Sequence, residues 1–375
     1  MFYLVSFEYS PNTAPCNRIM AYAKALSELG VKTKVVFFFP NKTYSRCNES
    51  LENIEFEYLW DKYYINIPRL KKLSLRLYLR QFSKRLRSGD KVLVYAFPEL
   101  TVALSRQRGI QTYQERTEHP DASFVTLLKS VKKNDYLKAC KQLSGVVVIS
   151  QSLYQYFVEN GCQSEKVHVV NMIVDSTRFE GLSKQEVEPY LAYCGSASNN
   201  KDGVDELIKA FALVVQKHPE YKLYIIGATP SKNQRFNNLE LVKNLGVERN
   251  VVFYGVASYK DMPQLLKNAQ ILVLDRPYNL QAKYGFPTKL GEYLLTENPV
   301  VVTKVGDIPL FLKDGESALI AEPQNSQDFA DKVCWAIENP NEARMIGEKG
   351  KLVAEKHFNY IIETKKLMDI VHWDS

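Results

Sequence analysis

Leu191-Ala192-Tyr193-Cys194-Gly195-Ser196-Ala197-Ser198-Asn199-Asn200-Lys201-Asp202-Gly203-Val204-Asp205 runs from an apolar segment through a glycine into a polar loop, and from there into an amphipathic segment. A short apolar run that ends in glycine and leads into a 3.6-residue periodicity is a strand handing the chain to a helix. The unit repeats downstream. Strands are expected over 191–194, 221–226, 251–254, 271–274, 299–303 and 318–320, and helices over 204–217, 239–245, 262–268 and 290–295. Upstream, strands over 2–7, 32–39, 91–96, 111–114, 145–149 and 167–170 alternate with helices that include 17–29 and 153–159. Strand–helix alternation of this kind builds parallel sheets covered by helices on both faces.

The chain has 375 residues, too many for one ordinary core. A polar, charged stretch over 181–189 separates the two series and reads as a linker. The expected division is an N-terminal domain over 1–180, a second domain over 181–355, and a C-terminal helix over 356–375 that packs back on the first domain. The fold class is α/β, with two facing, doubly wound, Rossmann-like domains. Ligands of such sheets sit at the carboxyl ends of the strands, so the expected site lies in the cleft between the halves.

Composition narrows the classes. With 45% hydrophobic and 24% charged residues, the chain is an ordinary globular protein. No apolar run reaches the roughly 18 residues that span a bilayer. The first residues, Met1-Phe2-Tyr3-Leu4-Val5-Ser6-Phe7, read as a strand and not as a signal segment. Cysteines at 16, 47, 140, 162, 194 and 334 form no Cys-x-x-Cys and no Cys/His cluster. That suits reduced thiols in a cytoplasmic protein and argues against a structural zinc site. The formal charge is +7, and the region from Lys62 to Arg87 holds nine basic residues and no acidic one. Tyr63, Tyr64, Leu70, Leu73, Leu77, Tyr78 and Phe82 are interleaved there. Two readings stay open: a solvated helix face over a core stripe, or an interfacial surface for anionic lipid, with the protein peripheral at the inner face of the membrane. No nucleic-acid-binding motif is present, so nucleic acid is not an expected partner.

Two motifs carry chemistry. In the opening stretch, Gly195 lets a ligand approach the backbone closely, Ser196 follows it, and Lys201 is a point charge suited to a phosphate oxygen. The second is Tyr284-Gly285-Phe286-Pro287-Thr288-Lys289-Leu290-Gly291-Glu292-Tyr293-Leu294. Pro287 and Thr288 suit a helix start, and the free N–H groups of a helix start attract anions. Lys289 adds charge at that mouth. Glu292 lies one turn in, on the same face as Thr288 and Lys289, where a carboxylate can accept both hydroxyls of a ribose. The blander alternatives are a plain loop with an exposed lysine and a capped helix with a Lys289–Glu292 pair. Taken together, the motifs outline a site for a nucleotide diphosphate.

With these residues in view, the chain resembles the retaining glycosyltransferases of GT-B fold, in the large fourth sequence family (group 1 glycosyl transferases). The similarity rests on Gly-x5-Lys-x-Gly at Gly195, Lys201 and Gly203, on Phe253-Tyr254-Gly255 ahead of a Met-Pro-x-Leu-Leu helix, on a strand leading to Asp275, and on Glu292-Tyr-Leu-Leu-Thr-Glu-Asn-Pro-Val-Val. Gly306 through Leu319, Val148-Ile-Ser-Gln-Ser, and Asn171-Met-Ile-Val-Asp175 add to it. Two positions depart from the family pattern. Ser196 stands where the family often has arginine, and Lys289 is expected to replace that cation, in a Pro-Thr-Lys-x-x-Glu form of the motif. Tyr284 stands where the family usually has a sugar-contacting glutamate, which leaves backbone near Gly285 and Phe286, or Asp275, to orient the sugar.

The resemblance implies a nucleotide sugar as substrate, with UDP-sugar favoured over GDP-sugar. No cofactor and no metal are implied, since Asp-x-Asp is absent. It also implies transfer with retention to a glycan acceptor in surface polysaccharide assembly, and the basic, aromatic stretch from Lys62 to Arg87 adds the expectation of a lipid-linked glycan acceptor. Lys201, Lys289, His119 and Glu118 are the expected catalytic residues, and Gly195, Ser196, Asp275, Gly285, Phe286, Pro287, Thr288 and Glu292 the expected donor contacts. Arg18, in the loop and helix after the first strand, is read as a phosphate contact or a surface residue. The alternatives are a nucleotide-sugar epimerase of the same fold and a non-catalytic protein that binds lipid or a partner.

Overall fold

The computed structural model describes residues 1–11, 13–41, 45–63, 70–229 and 231–373. Asn12, residues 64–69 of the basic stretch, and the last two residues of the C-terminal element lie outside the described residues. The chain forms two compact units, Met1–Ile173 with Tyr360–Ser375, and Val174–Asn359.

The first unit is a seven-stranded sheet in the order β3-β2-β1-β4-β5-β6-β7. Its strands are β1 (Phe2–Tyr9), β2 (Thr33–Pro40), β3 (Ile54–Tyr58), β4 (Lys91–Tyr95), β5 (Gln111–Arg116), β6 (Gly145–Val148) and β7 (Val167–Val169). The second unit is a six-stranded sheet in the order β10-β9-β8-β11-β12-β13. It contains β8 (Tyr190–Cys194), β9 (Lys222–Ile226), β10 (Val251–Gly255), β11 (Ile271–Leu274), β12 (Val300–Thr303) and β13 (Leu319–Ala321). Every strand pairing is parallel. The inner strands Gly145–Val148, Ile271–Leu274 and Val300–Thr303 are buried along their whole length, as strands covered on both faces must be. The strand order reverses between β1 and β4 in the first unit and between β8 and β11 in the second, and ligands of open α/β sheets collect at the carboxyl ends beside such points.

The division between the units differs from the expected one. The chain enters the second unit at Val174, ahead of the polar stretch taken as a linker. That stretch is bonded to the second unit. Lys184 Nζ donates to the Ala269 carbonyl at 3.1 Å, and the Gln185 N–H to Asn268 Oδ1 at 3.0 Å. Polarity there marks an exposed excursion and not a boundary. The entry and exit of this unit lie side by side, because the Val174 N–H donates to the Phe358 carbonyl at 2.9 Å. The return to the first unit begins at Tyr360. The helix Tyr360–Ile370 buries Tyr360, Leu367 and Met368 against the core that also holds Ile19, Tyr22, Ala23 and Leu26 of the helix Ala14–Glu28.

Arg18 also departs from both of its readings. It is buried, and its Nε donates to Glu115 Oε1 at 2.6 Å. Its other nitrogens donate to the carbonyls of Asn171 at 2.8 Å and Val170 at 3.1 Å, and to Tyr22 Oη at 2.8 Å. Glu115 is fully buried and also accepts from Tyr22 Oη at 2.9 Å. Burial alone would depress the guanidinium; the Glu115 carboxylate more than restores it and raises its pKa. Arg18 therefore ties the helix Ala14–Glu28 to β5 and to the segment after β7. Removing one partner of such a buried pair strands the other charge, which costs about 3–5 kcal/mol, whereas an exposed pair contributes at most about 1 kcal/mol. Arg18→Met should therefore lose several kcal/mol in chemical denaturation, while Lys34→Met, which removes the exposed Lys34–Glu55 pair, should shift the same curve little.

Candidate functional site

The site of the second unit is built where β8 ends. Gly195 has φ +145°, and a Cβ there would collide with Lys289 Nζ and lie 3.2 Å from Tyr193 Oη. Only glycine leaves space for that ammonium against the backbone. Lys289 belongs to the helix Thr288–Leu295, whose cap residue is Pro287 and whose first turn holds no acidic residue. The side chain runs back to Asp202, with Nζ 2.5 Å from Oδ2, and to Tyr193 Oη at 3.1 Å. Tyr193 Oη in turn donates within 2.7 Å of Asp202 Oδ2 and 2.6 Å of the Ser196 carbonyl.

Asp202 is 2% exposed. Burial alone would raise its carboxyl, but the Lys289 ammonium and the Arg276 guanidinium outweigh it and hold the pKa below the ordinary value. Arg276 Nε lies 3.8 Å from Asp202 Oδ1, and Arg276 is itself buried. Two cations thus face one carboxylate, and the cluster keeps a net positive charge. Lys201 sits in the short turn Asn199–Asp202, capped by Ser198 Oγ, which accepts the Lys201 N–H at 3.2 Å. Gly203 ends this turn in the left-handed region at φ +60°, where a Cβ would strike the Asp275 carbonyl. The loop therefore lies directly on the chain leaving β11.

The Lys289–Glu292 pair of the blander alternative does not form. Lys289 turns to Asp202, and Glu292 Oε1 pairs instead with Arg178 Nη1. Arg178 Nη2 donates to the Tyr259 carbonyl at 2.9 Å, and the guanidinium lies 3.7 Å over the Tyr259 ring. Asp202, Arg276, Arg178 and Tyr259 were all passed over at the sequence level. Arg178 stands just after Asn171-Met-Ile-Val-Asp175, so its place in a motif was the one available signal.

The remaining expected residues divide. Ser196 is exposed, and Thr288 is half-buried at the helix start. The Gly285 N–H donates to the Gln281 carbonyl at 3.0 Å. The Phe286 ring packs on Phe311 and Phe358 at 5.5 and 5.2 Å, so that side chain belongs to the core. Asp275 is buried at the end of β11, and its Oδ2 has no hydrogen-bond partner among the described residues. His119 and Glu118 belong to the first unit. His119 is buried and caps the turn Pro120–Ser123, its Nδ1 accepting the Asp121 N–H at 3.1 Å. Its ring meets Tyr156 edge-on at 4.2 Å. Among the described residues, no three His, Cys, Asp or Glu side chains converge in a way that could hold a metal ion.

Two doubly wound parallel-sheet units, the second with a cationic cluster at the carboxyl end of β8, define a protein of the GT-B class. Residues 175–353 match the family described as Glycosyl transferases group 1. It is 27% identical to mannosylfructose-phosphate synthase of Agrobacterium fabrum over 52% of this chain, and spans only 44% of that relative's length. It is 22% identical to an uncharacterised glycosyltransferase of Methanocaldococcus jannaschii, over 78% of this chain and 79% of the relative. Among solved structures, the Anabaena protein HepE in complex with UDP superposes with a TM-score of 0.74 at 16% identity, covering 99% of both chains. Sucrose-phosphate synthase from Thermosynechococcus elongatus superposes with a TM-score of 0.78 at 16% identity, covering 99% of this chain and 98% of that one.

Asp275 generates a prediction of its own. Burial first, then the carboxylates of Glu206 and Asp205, push its pKa up to about 7. A raised carboxyl is stabilising when protonated, so its contribution is complete below the unfolded value and is lost as pH rises through the folded one. The ionisation penalty at pH 8 reaches at most about 4 kcal/mol, taking about 1.4 kcal/mol per pKa unit. Asp275→Asn should therefore stabilise the protein at pH 8 and flatten the fall in melting temperature between pH 5 and 8.

Proposed function

We propose that the protein is a retaining glycosyltransferase that moves a sugar from a nucleotide diphosphate donor, with UDP preferred, to a glycan acceptor. The observation that carries this reading is the cationic cluster of Lys289, Arg276 and Asp202 against Gly195, at the start of the helix Thr288–Leu295. It lies within the segment shared with the group 1 glycosyl transferases. The names of similar structures support it, since HepE is described in complex with UDP and with UDP-glucose.

In this reading the diphosphate lies over Gly195 and the first turn of the helix Thr288–Leu295. The bond between the anomeric carbon and the diphosphate oxygen breaks as the acceptor oxygen bonds the same face of that carbon. The acceptor proton passes to the departing phosphate. The work of the protein is electrostatic: Lys201, Lys289 and the helix start hold charge that grows as the bond breaks. No divalent ion is required in this scheme. Glu292 accepts hydrogen bonds from the ribose hydroxyls. His119 and Glu118 serve the sugar or acceptor.

The acceptor is proposed to be lipid-linked. No described helix is long and apolar enough to cross a membrane. The helix Lys71–Arg85 buries Leu75, Tyr78, Leu79 and Phe82 and leaves Lys72, Leu73, Arg76, Leu77, Arg80 and Lys84 exposed. A core stripe and an outward face coexist on one helix, and that outward face combines cations with two leucines. Such a surface suits the headgroup region of an anionic bilayer, where each basic residue contributes roughly 1 kcal/mol.

Three outcomes are expected. Glu292→Ala should weaken UDP and UDP-sugar binding together, by about 10- to 150-fold for one lost charge-assisted hydrogen bond, as read by calorimetry. Unchanged nucleotide affinity in the folded variant would remove the ribose role. Lys201→Ala should lower kcat with little change in donor affinity, and a chelator should leave activity intact. Lys289→Ala needs Asp202→Asn beside it, because the single change strands a buried carboxylate. In vesicle sedimentation, binding should require anionic lipid, fall with salt, and weaken when Arg76, Arg80 and Lys84 become Glu. Indifference of the wild type to anionic vesicles at low salt would leave the helix face merely solvated.

A further inference from the structure

We infer that Arg178 is the positioning residue of the nucleoside end of the donor site, joining a ribose-binding carboxylate to a platform for the base. The inference rests on the reading of Glu292 just given. Arg178 lies in the 3-10 turn Ser176–Phe179, which packs against the helices Met262–Asn268 and Thr288–Leu295. Its guanidinium is held on three sides. Nη1 pairs with Glu292 Oε1, Nη2 donates to the Tyr259 carbonyl at 2.9 Å, and one flat face covers the Tyr259 ring at 3.7 Å. The side chains of Arg178 and Glu292 are only 12% and 18% exposed, so the pair is largely out of solvent.

Two consequences follow from that geometry. The carboxylate of Glu292 is anchored through Oε1, so its plane is fixed while Oε2 and the second lone pair of Oε1 remain as acceptors. A fixed carboxylate reads a ribose sharply, because a sugar lacking one hydroxyl leaves an acceptor unpaired. Tyr259 is the second consequence. It stands on the loop after β10, at the carboxyl end of the sheet, and 43% of it is exposed. With the guanidinium over the ring, Tyr259 is seated beside the Arg178–Glu292 pair, where a planar base would lie next to it. Ribose recognition and base recognition therefore hang on one guanidinium and cannot shift independently. Lysine cannot take this role, since it lacks both the planar face and the fork of donors.

The test compares UDP, 2′-deoxy-UDP and inorganic pyrophosphate by calorimetry on the wild type, Arg178→Ala, Arg178→Lys and Glu292→Ala. Wild type should prefer UDP over 2′-deoxy-UDP. Arg178→Ala should lose UDP affinity by about 10-fold or more, the preference should collapse toward unity, and pyrophosphate affinity should stay as it was. Arg178→Lys should not restore the preference. Should Arg178→Ala fail to fold, Arg178→Gln, which keeps a polar group on a shorter side chain, takes its place. The double variant Arg178→Ala/Glu292→Ala should bind UDP more weakly than Glu292→Ala alone, because the seating of Tyr259 is lost as well. An undiminished preference in a folded Arg178 variant, or a parallel fall in pyrophosphate affinity, overturns the role of Arg178 while leaving that of Glu292 intact. Failure of wild type to bind UDP, or an undiminished preference in Glu292→Ala, overturns the reading of Glu292 itself and this inference with it.

Discussion

The second unit depends on how the charge of Asp202 is compensated. A carboxylate this far from solvent persists only with close cationic partners, and Lys289 and Arg276 supply them. The compensation places an ammonium against the backbone of Gly195, which excludes any side chain there. It also ties the turn after β8 to the helix Thr288–Leu295 and to the residue after β11. Those are the elements on either side of the strand reversal, so one ion-pair cluster fixes the crevice that the topology opens. The cluster is left with a surplus of positive charge.

The same arrangement changes what Lys289 can be said to do. Read from sequence, it stood in for an arginine missing at Ser196, and a pair with Glu292 along its helix was the blander alternative. In the structure it is bound to Asp202, so part of its field is already spent within the protein. Arg276 contributes to the local potential without reaching the surface. The cationic character of the cluster is therefore shared between Lys289 and Arg276, and neither is a simple replacement for the family arginine.

Much of the fold was legible because its signals are local. Apolar runs such as Val300-Val301-Val302 and glycines at strand ends mark buried parallel strands, and twelve of the thirteen strands of the two sheets begin within about one residue of their expected starts. The strand Ile54–Tyr58 was missed because it alternates with Glu55 and Glu57 at the sheet edge, where only Tyr58 is buried. The helix Lys232–Asn244 was seen only in its second half, since its first turns are polar and its start is marked by Ser231 alone. The site divided on the same principle. Gly195, Lys201, Lys289 and Glu292 lie in compact motifs, whereas the pairing of Lys289 with Asp202 of the other motif, and of Glu292 with Arg178, joins distant parts of the chain and is chosen by burial. Arg18 failed for the same reason: no local pattern says that an arginine after a strand will find Glu115 in the core.

The helix Tyr360–Ile370 gives the molecule a definite order of assembly. It contributes Tyr360, Leu367 and Met368 to the core beneath the helix Ala14–Glu28, yet it is synthesised only after all of Val174–Asn359. The second unit is an uninterrupted stretch of chain and can close its own core as it leaves the ribosome. The first unit cannot. Through the time needed to translate the intervening residues, Ile19, Tyr22 and their neighbours wait for the surface that will cover them. Nascent chains therefore carry an open apolar face on their oldest part, and the closing step of folding joins segments from opposite ends of the chain.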